Sequence, residues 1–187
     1  ITKSLYQNNK VVSAVCHGPA ALLNVTLDNG ESLLKGKRIS AFTNEEELTL
    51  IPDAQEVFSF LLEDKLVEQG ANFNAGQTYL EQVSQDGKII TGQNPWSTWR
   101  MAEMVIAELG YEPKPRAKTQ EEYAVELIMT YRTKGYESAL EYMRSQPESI
   151  HKILLLMHGM LAFMQFELGT GVELVKLASE LKTLTQS

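Results

Sequence analysis

One cysteine, Cys16, is all that the 187 residues contain. That excludes an internal disulfide framework and any multi-cysteine zinc site. Positive charge is also scarce: 17 Lys and Arg stand against 24 Asp and Glu, for a net charge of −7. Binding a phosphate backbone needs clustered cations, so nucleic acid is not an expected partner. Long apolar runs are lacking too. The longest, Ile153 to Phe166, is broken by His158 and Gln165 and is too short to span a bilayer comfortably. No signal-peptide pattern is visible, so a cytoplasmic location without a membrane partner is expected. The chain opens Ile1-Thr2-Lys3 rather than on methionine, as a chain missing its beginning would. Gly169 and Gly171 belong to no phosphate-binding loop pattern. What is present is ordinary for a folded chain: 43% hydrophobic and 22% charged residues.

The first part alternates strand and helix signals. Val11 to Val15 is short, β-branched and apolar, as a buried parallel strand is. Cys16-His17-Gly18-Pro19 follows, and Ala20 to Asn24 reads as helix, with Pro19 suited to its first turn. Lys37 to Phe42, Asn72 to Asn74, Glu81 to Ser84 and Lys88 to Thr91 read as strands, the last two joined at Asp86-Gly87. Ala54 to Gln69 and Trp96 to Leu109 carry helical periods, each stopped by a glycine. The alternation predicts an α/β domain with a parallel sheet covered by helices on both faces. Tyr111 to Arg116, with two prolines, then breaks the pattern. Beyond it the strand signals stop. Thr119 and Glu122 form a capping-box pattern for a helix to about Lys134, Glu137 to Ser145 is a second, and a third starts at Ser145 to Glu148. Gly169-Thr170-Gly171 is expected to interrupt before a fourth helix over Val172 to Leu184. The expected organisation is an α/β domain over 1–112, a linker over 113–118 and an all-helical extension over 119–187.

The segment that carries chemistry is Val12 to Leu22. A cysteine between a buried strand and a helix sits on a sharp turn that lifts it out of the sheet. The helix N-terminus would favour the thiolate by lowering the thiol pKa, and the next peptide N–H could serve as an oxyanion donor. Gly18, Ala20 and Ala21 allow close packing of helix on strand. The bland alternative is a small buried core cysteine. His17 could be the general base if the turn brings both side chains into one pocket; otherwise it is a turn residue pointing away.

These residues resemble the ThiJ/PfpI superfamily, the class I glutamine amidotransferase-like fold, in its heat-inducible chaperone and glyoxalase III-like branch. The stretches that carry the resemblance are Ala14 to Leu22, Leu34 to Glu47, Phe60 to Asp64 and Ile89 to Pro95, in family order and at family-like spacing. The resemblance covers residues 1 to about 112 and implies the C-terminal half of a flavodoxin-like parallel sheet sandwiched by helices. It implies Cys16 as nucleophile and His17 as its partner. By position Glu47 would complete the triad, orienting the imidazole. Read from the residues alone, Glu45 to Glu47 are equally an acidic, solvated helix start, with Glu45 and Glu46 as bystanders. The family's upstream strand, whose Glu contacts the nucleophile, and its Gly-rich oxyanion segment have no counterpart in these residues.

The resemblance implies a 2-oxoaldehyde such as methylglyoxal as substrate, converted to a 2-hydroxy acid without metal, glutathione or nucleotide. The alternative is a non-catalytic holding chaperone or redox sensor of the same superfamily. A homo-oligomer, or a second chain completing the α/β domain, is expected. In the extension, the apolar faces are expected at Tyr123, Leu127, Ile128 and Tyr131 of the first helix. In the third they are expected at Ile153, Leu154, Met157, Met160, Leu161 and Met164. His151 and His158, seven apart, are too few ligands for a metal site. Asn94-Pro95 and Ser97 are expected to start a helix rather than to do chemistry.

Overall fold

The computed structural model describes residues 1–184. The chain divides into two compact units, Ile1–Lys114 and Pro115–Ser187. The first begins with a helix that the sequence pattern did not announce, α1 (Thr2–Gln7), and continues with β1 (Val12–Val15), a 3-10 turn (Gly18–Leu22) and β2 (Arg38–Ile39). Next come three short helices, α2 (Asn44–Leu50), α3 (Ala54–Val57) and α4 (Leu62–Glu68), followed by β3 (Asn72–Phe73), β4 (Val83–Asp86), β5 (Ile89–Gly92) and α5 (Thr98–Glu108).

The sheet is mixed. β1 pairs in parallel with β5, with Val12 opposite Ile89 and Val15 opposite Gly92. β4 and β5 form the expected hairpin through Gly87, antiparallel, with Val83 opposite Gly92. β2 and β3 form a separate parallel pair. Side chains join the two groups where a backbone ladder would otherwise run. Ser40 N donates to Thr91 Oγ1 at 2.9 Å, and Ser40 Oγ lies 2.8 Å from Ser84 Oγ. Leu22, Leu33, Leu34, Ile39, Leu66 and Ile89 form the core beneath. Their burial is the main stabilising term, because each large apolar side chain removed from water contributes about 1.5–3 kcal/mol.

An ion pair also ties β4 to β2. Lys37 Nζ donates to Asp86 Oδ1 at 2.9 Å, and Arg38 N to Asp86 Oδ2 at 3.0 Å. The Lys37 ammonium, its strongest partner, holds the Asp86 carboxyl below the ordinary carboxylate range. A depressed native value stabilises the fold above the unfolded-state pKa, about 3.9, and that stabilisation is lost as pH falls through the native value. Asp86→Asn is therefore expected to cost about 1 kcal/mol at neutral pH in urea unfolding, with the deficit closing as pH falls through the depressed native value.

The single helix expected over Ala54 to Gln69 is instead two. Phe58 and Leu61 adopt extended backbone, so α3 ends after Val57 and α4 starts at Leu62. The break sends Leu61 and Leu62 into the core and leaves Phe58 and Phe60 exposed. The strand expected over Glu81 to Ser84 lies two residues later. The preceding loop is held by Gln82 N donating to Ser97 Oγ at 3.1 Å.

The second unit is all helix: α6 (Gln120–Lys134), α7 (Tyr136–Ser145), α8 (Lys152–Met164) and α9 (Leu168–Leu184). The Thr119–Glu122 capping box forms as the sequence implies. Leu127, Ile128 and Tyr131 are buried, and Tyr131 Oη donates to Glu173 Oε2 at 2.6 Å. The glycines at 169 and 171 do not interrupt; both lie inside α9. A Cβ on Gly171 would fall 2.6 Å from the Phe163 ring, so this glycine lets α8 and α9 approach. The break falls earlier, at Phe166, which takes a left-handed φ of 61°. The face of α8 that enters the bundle carries Leu154, Leu155, His158, Gly159 and Ala162, not the methionines. A helix that is apolar all round does not reveal from its period which side is buried. Among the described residues no helix is long and apolar enough to cross a membrane.

Candidate active site

The site begins at the end of β1. Pairing with β5 continues one residue past the strand, as Cys16 N donates to Gly92 O at 2.9 Å, while Phe42 N donates to Cys16 O at 3.0 Å. The chain then turns sharply and Cys16 takes φ +60°. A left-handed conformation costs an L-residue roughly 1 kcal/mol, and it is held here by hydrogen bonds on both sides of the peptide. Gly92 is required opposite the turn, since a Cβ there would fall 2.8 Å from Ser97 Cβ and 3.1 Å from Val15 Cγ2.

The left-handed turn brings two adjacent side chains together. Cys16 Sγ lies 3.3 Å from His17 Nδ1, and His17 Nε2 lies 2.5 Å from Glu47 Oε2. With Nε2–H donating to the carboxyl, Nδ1 is the ring acceptor facing the thiol proton. The His17 side chain is 53% exposed and that of Glu47 only 10%, so the imidazole is accessible while the carboxyl behind it is shielded. The Phe42 ring packs on the imidazole, with centroids 4.6 Å apart. All three residues singled out in the sequence thus meet in one hydrogen-bonded row.

The thiol is not activated in the way its position before a helix suggests. Burial pushes the Cys16 thiol above its ordinary value, and the charges of Glu46 and Glu47 push the same way; the His17 backbone N–H opposes them. The following helix is a five-residue 3-10 turn, too short for a strong macrodipole. In the native chain, alkylation of Cys16 by iodoacetamide is therefore expected to inflect at higher pH than in the urea-unfolded chain. Glu47→Gln, which removes one of the charges raising the thiol, is expected to move that inflection down. An unshifted inflection would contradict the electrostatic account.

Glu47 is aimed by the residue before it. Thr43 caps α2: Glu46 N donates to Thr43 Oγ1 at 3.1 Å and Thr43 N to Glu46 Oε2 at 3.0 Å. Glu46 is fully buried, and its other oxygen accepts from Tyr79 N (2.7 Å), Gln93 Nε2 (3.0 Å) and Asn94 Nδ2 (2.8 Å). Glu46 is therefore no bystander. It ties the first turn of α2 to the Tyr79 loop, itself at φ +55°, and to the residues that follow β5. Asn94 also caps the next helix start, as Trp96 N donates to its Oδ1 at 3.1 Å. The Thr43-x-x-Glu46 spacing was the available signal for this role.

A cavity of about 190 Å³ adjoins the row, lined by His17, Ala20, Glu47, Phe58, Ser59, Phe60 and Leu62. Cys16 lies outside its wall, across the imidazole. The aromatic part of the wall exists because the helix breaks at Phe58, which no period in the sequence displayed. His151 precedes α8 rather than sharing it with the buried His158. Among the described residues no group of three His, Cys, Asp or Glu side chains could hold a metal ion.

A left-handed cysteine at the end of a parallel strand, with histidine next to it and a carboxyl behind, defines a nucleophile-elbow thiol site on an α/β sheet. Comparison with known proteins bears out the resemblance to the glyoxalase III-like branch of the ThiJ/PfpI superfamily. The chain is 37% identical over 116 residues to Glyoxalase 3 of Candida albicans, covering 57% of this chain and 47% of that protein. It is 37% identical over 113 residues to the glutathione-independent glyoxalase HSP31 of Saccharomyces cerevisiae, covering 58% and 48%. The crystal structure of glyoxalase III from Candida albicans matches with a TM-score of 0.52 at 34% identity, over 57% of this chain and 46% of that one. No family model matches the chain. The chain spans about half the length of these relatives.

Proposed function

We propose that this chain carries the thiol half of a glutathione-independent glyoxalase site, converting 2-oxoaldehydes such as methylglyoxal to 2-hydroxy acids. The observation that carries this reading is the row Cys16 Sγ–His17 Nδ1, His17 Nε2–Glu47 Oε2 at the left-handed turn after β1. Cys16 Sγ attacks the aldehyde carbon, and the thiol proton passes through His17 Nδ1 to the carbonyl oxygen, giving a hemithioacetal. His17 then removes the proton from that carbon. The electron pair forms an enediol, and reprotonation at the neighbouring carbon leaves a thioester. Water hydrolyses the thioester to the hydroxy acid and frees the thiol. One carbon is oxidised and its neighbour reduced, so no external redox partner is needed. Glu47 holds the ring and stabilises its charged form.

The acidic residue and Gly-rich oxyanion segment that the family places ahead of the elbow would come from polypeptide outside these 187 residues, in the same or a second chain. The test is lactate formation from methylglyoxal without glutathione, by the protein containing this chain with that polypeptide present. Loss of turnover in Cys16→Ser supports the reading, and turnover that survives overturns it.

The rival reading is a holding chaperone, favoured by the exposed apolar residues Val57, Phe58 and Phe60. It predicts suppression of client aggregation that persists in Cys16→Ser. The raised thiol speaks against the redox-sensor variant, since sensor cysteines are low-pKa thiolates.

A further inference from the structure

The residues of α8 that stay out of the bundle form a pattern of their own. Ile153, Leu156, Met157, Met160 and Met164 recur at helical spacing along one side, and Ile153 is 62% and Met160 57% exposed. No charged residue lies between Ile153 and Met164. The side continues onto the first half of α9, where Leu168, Val172 and Val175 are exposed. The two stripes adjoin across the seam: Phe163 sits over Gly171, and a Cβ on Gly159 would fall 3.1 Å from Val175 Cγ2. Phe166, 89% exposed, caps the ridge at the turn between the helices.

We propose that this ridge is a homodimer interface, the α8–α9 hairpin of a second copy packing on it to complete a four-helix bundle. Area is the first argument. Exposed apolar side chains of this number and size present on the order of 1,000 Å², where a stable interface takes about 800 Å² from each partner. The largest apolar patch on a typical monomer is about 300–600 Å². Shape is the second. A two-helix ridge can meet a copy of itself across a two-fold axis, and helix pairs meeting in this way form antiparallel bundles. Charge is the third. The ridge offers nothing to a nucleic acid or a charged peptide. The chain's net charge of −7 disfavours an anionic bilayer. Two copies meeting along uncharged rows bury no unpaired charge.

Sedimentation velocity on the 187-residue chain across micromolar concentrations is expected to show a species of twice the 21.0 kDa chain mass. The double substitution Met160→Lys, Met164→Lys is expected to weaken self-association by at least ~100-fold with the helical circular dichroism unchanged, because four ammonium groups would meet across the axis. A second readout needs no variant. Hydrogen exchange across residues 152–175 of the native chain should slow as concentration rises through the dimer midpoint. A native chain monomeric at ~100 μM overturns the proposal. So does a dimer that persists in the double variant, exchange over 152–175 that ignores concentration, or a monomer that floats with phosphatidylcholine vesicles.

Discussion

If the proposed glyoxalase reading holds, Cys16→Ser in the protein with the upstream polypeptide present is expected to reduce methylglyoxal turnover to background, a loss of at least ~1,000-fold in kcat/KM, with little change in thermal stability. The size of the loss follows from the chemistry. A serine hydroxyl fits the elbow but is a far weaker acid than even the raised thiol, so proton transfer to His17 Nδ1 yields almost no nucleophile. The stability change is small because the hydrogen bonds that hold the left-handed turn use the Cys16 backbone, not its side chain. His17→Gln and Glu47→Gln should form a graded series behind it. The first removes the proton shuttle, and the second leaves it in place without its orienting group. A measured order with Glu47→Gln worse than Cys16→Ser would show that the carboxyl, not the thiol, does the chemistry.

Glu46→Ala is expected to be the most damaging single change to the fold of the first unit, at about 4 kcal/mol. The side chain is fully buried and accepts from Thr43, Tyr79, Gln93 and Asn94. Alanine would take the acceptor from the Thr43 and Tyr79 amides, and would leave Gln93 Nε2 and Asn94 Nδ2 only their second acceptors, Gln77 O and Leu80 O. Small domains are stable by about 5–15 kcal/mol, so the variant should unfold at much lower urea concentration, which denaturation followed by circular dichroism will measure. Glu46→Gln is not expected to rescue it. Its amide can accept on one side only, and turns two further donors toward donors on the other. Full recovery with glutamine would show that the network tolerates an amide and that the acceptor count is not what matters.

The two cases mark where local reading stopped. The elbow was legible because its parts are contiguous: a β-branched strand, cysteine, histidine, glycine and proline follow one another in Val12 to Pro19. Glu47 could be placed as the third member only through the family pattern, since three adjacent glutamates offer no local means of choosing among them. The Thr43–Glu46 cap was legible at three-residue spacing, but the rest of the Glu46 network was not, because Tyr79, Gln93 and Asn94 lie 33, 47 and 48 residues away. The direction of the thiol shift also escaped local reading. A helix start can be seen in sequence, whereas burial and the approach of Glu46 and Glu47 are properties of the folded site.

The same division runs through the second unit. The Thr119 capping box and the buried face of α6 follow from side chains three and four residues apart, which the helix itself brings together. The continuity of α9 through Gly169 and Gly171 depends on the Phe163 ring of another helix, and the outward turn of the α8 methionines depends on which sides its neighbours had already filled. The sequence by itself determined the alternation of strand and helix in the first unit, the all-helical second unit and the contiguous cysteine elbow, because those rest on neighbours in the chain. Only the tertiary structure decided which glutamate meets the histidine, which way the thiol titrates, where the cavity wall lies and which apolar ridge is left outside. Each of these depends on desolvation and distance between residues that only packing brings together.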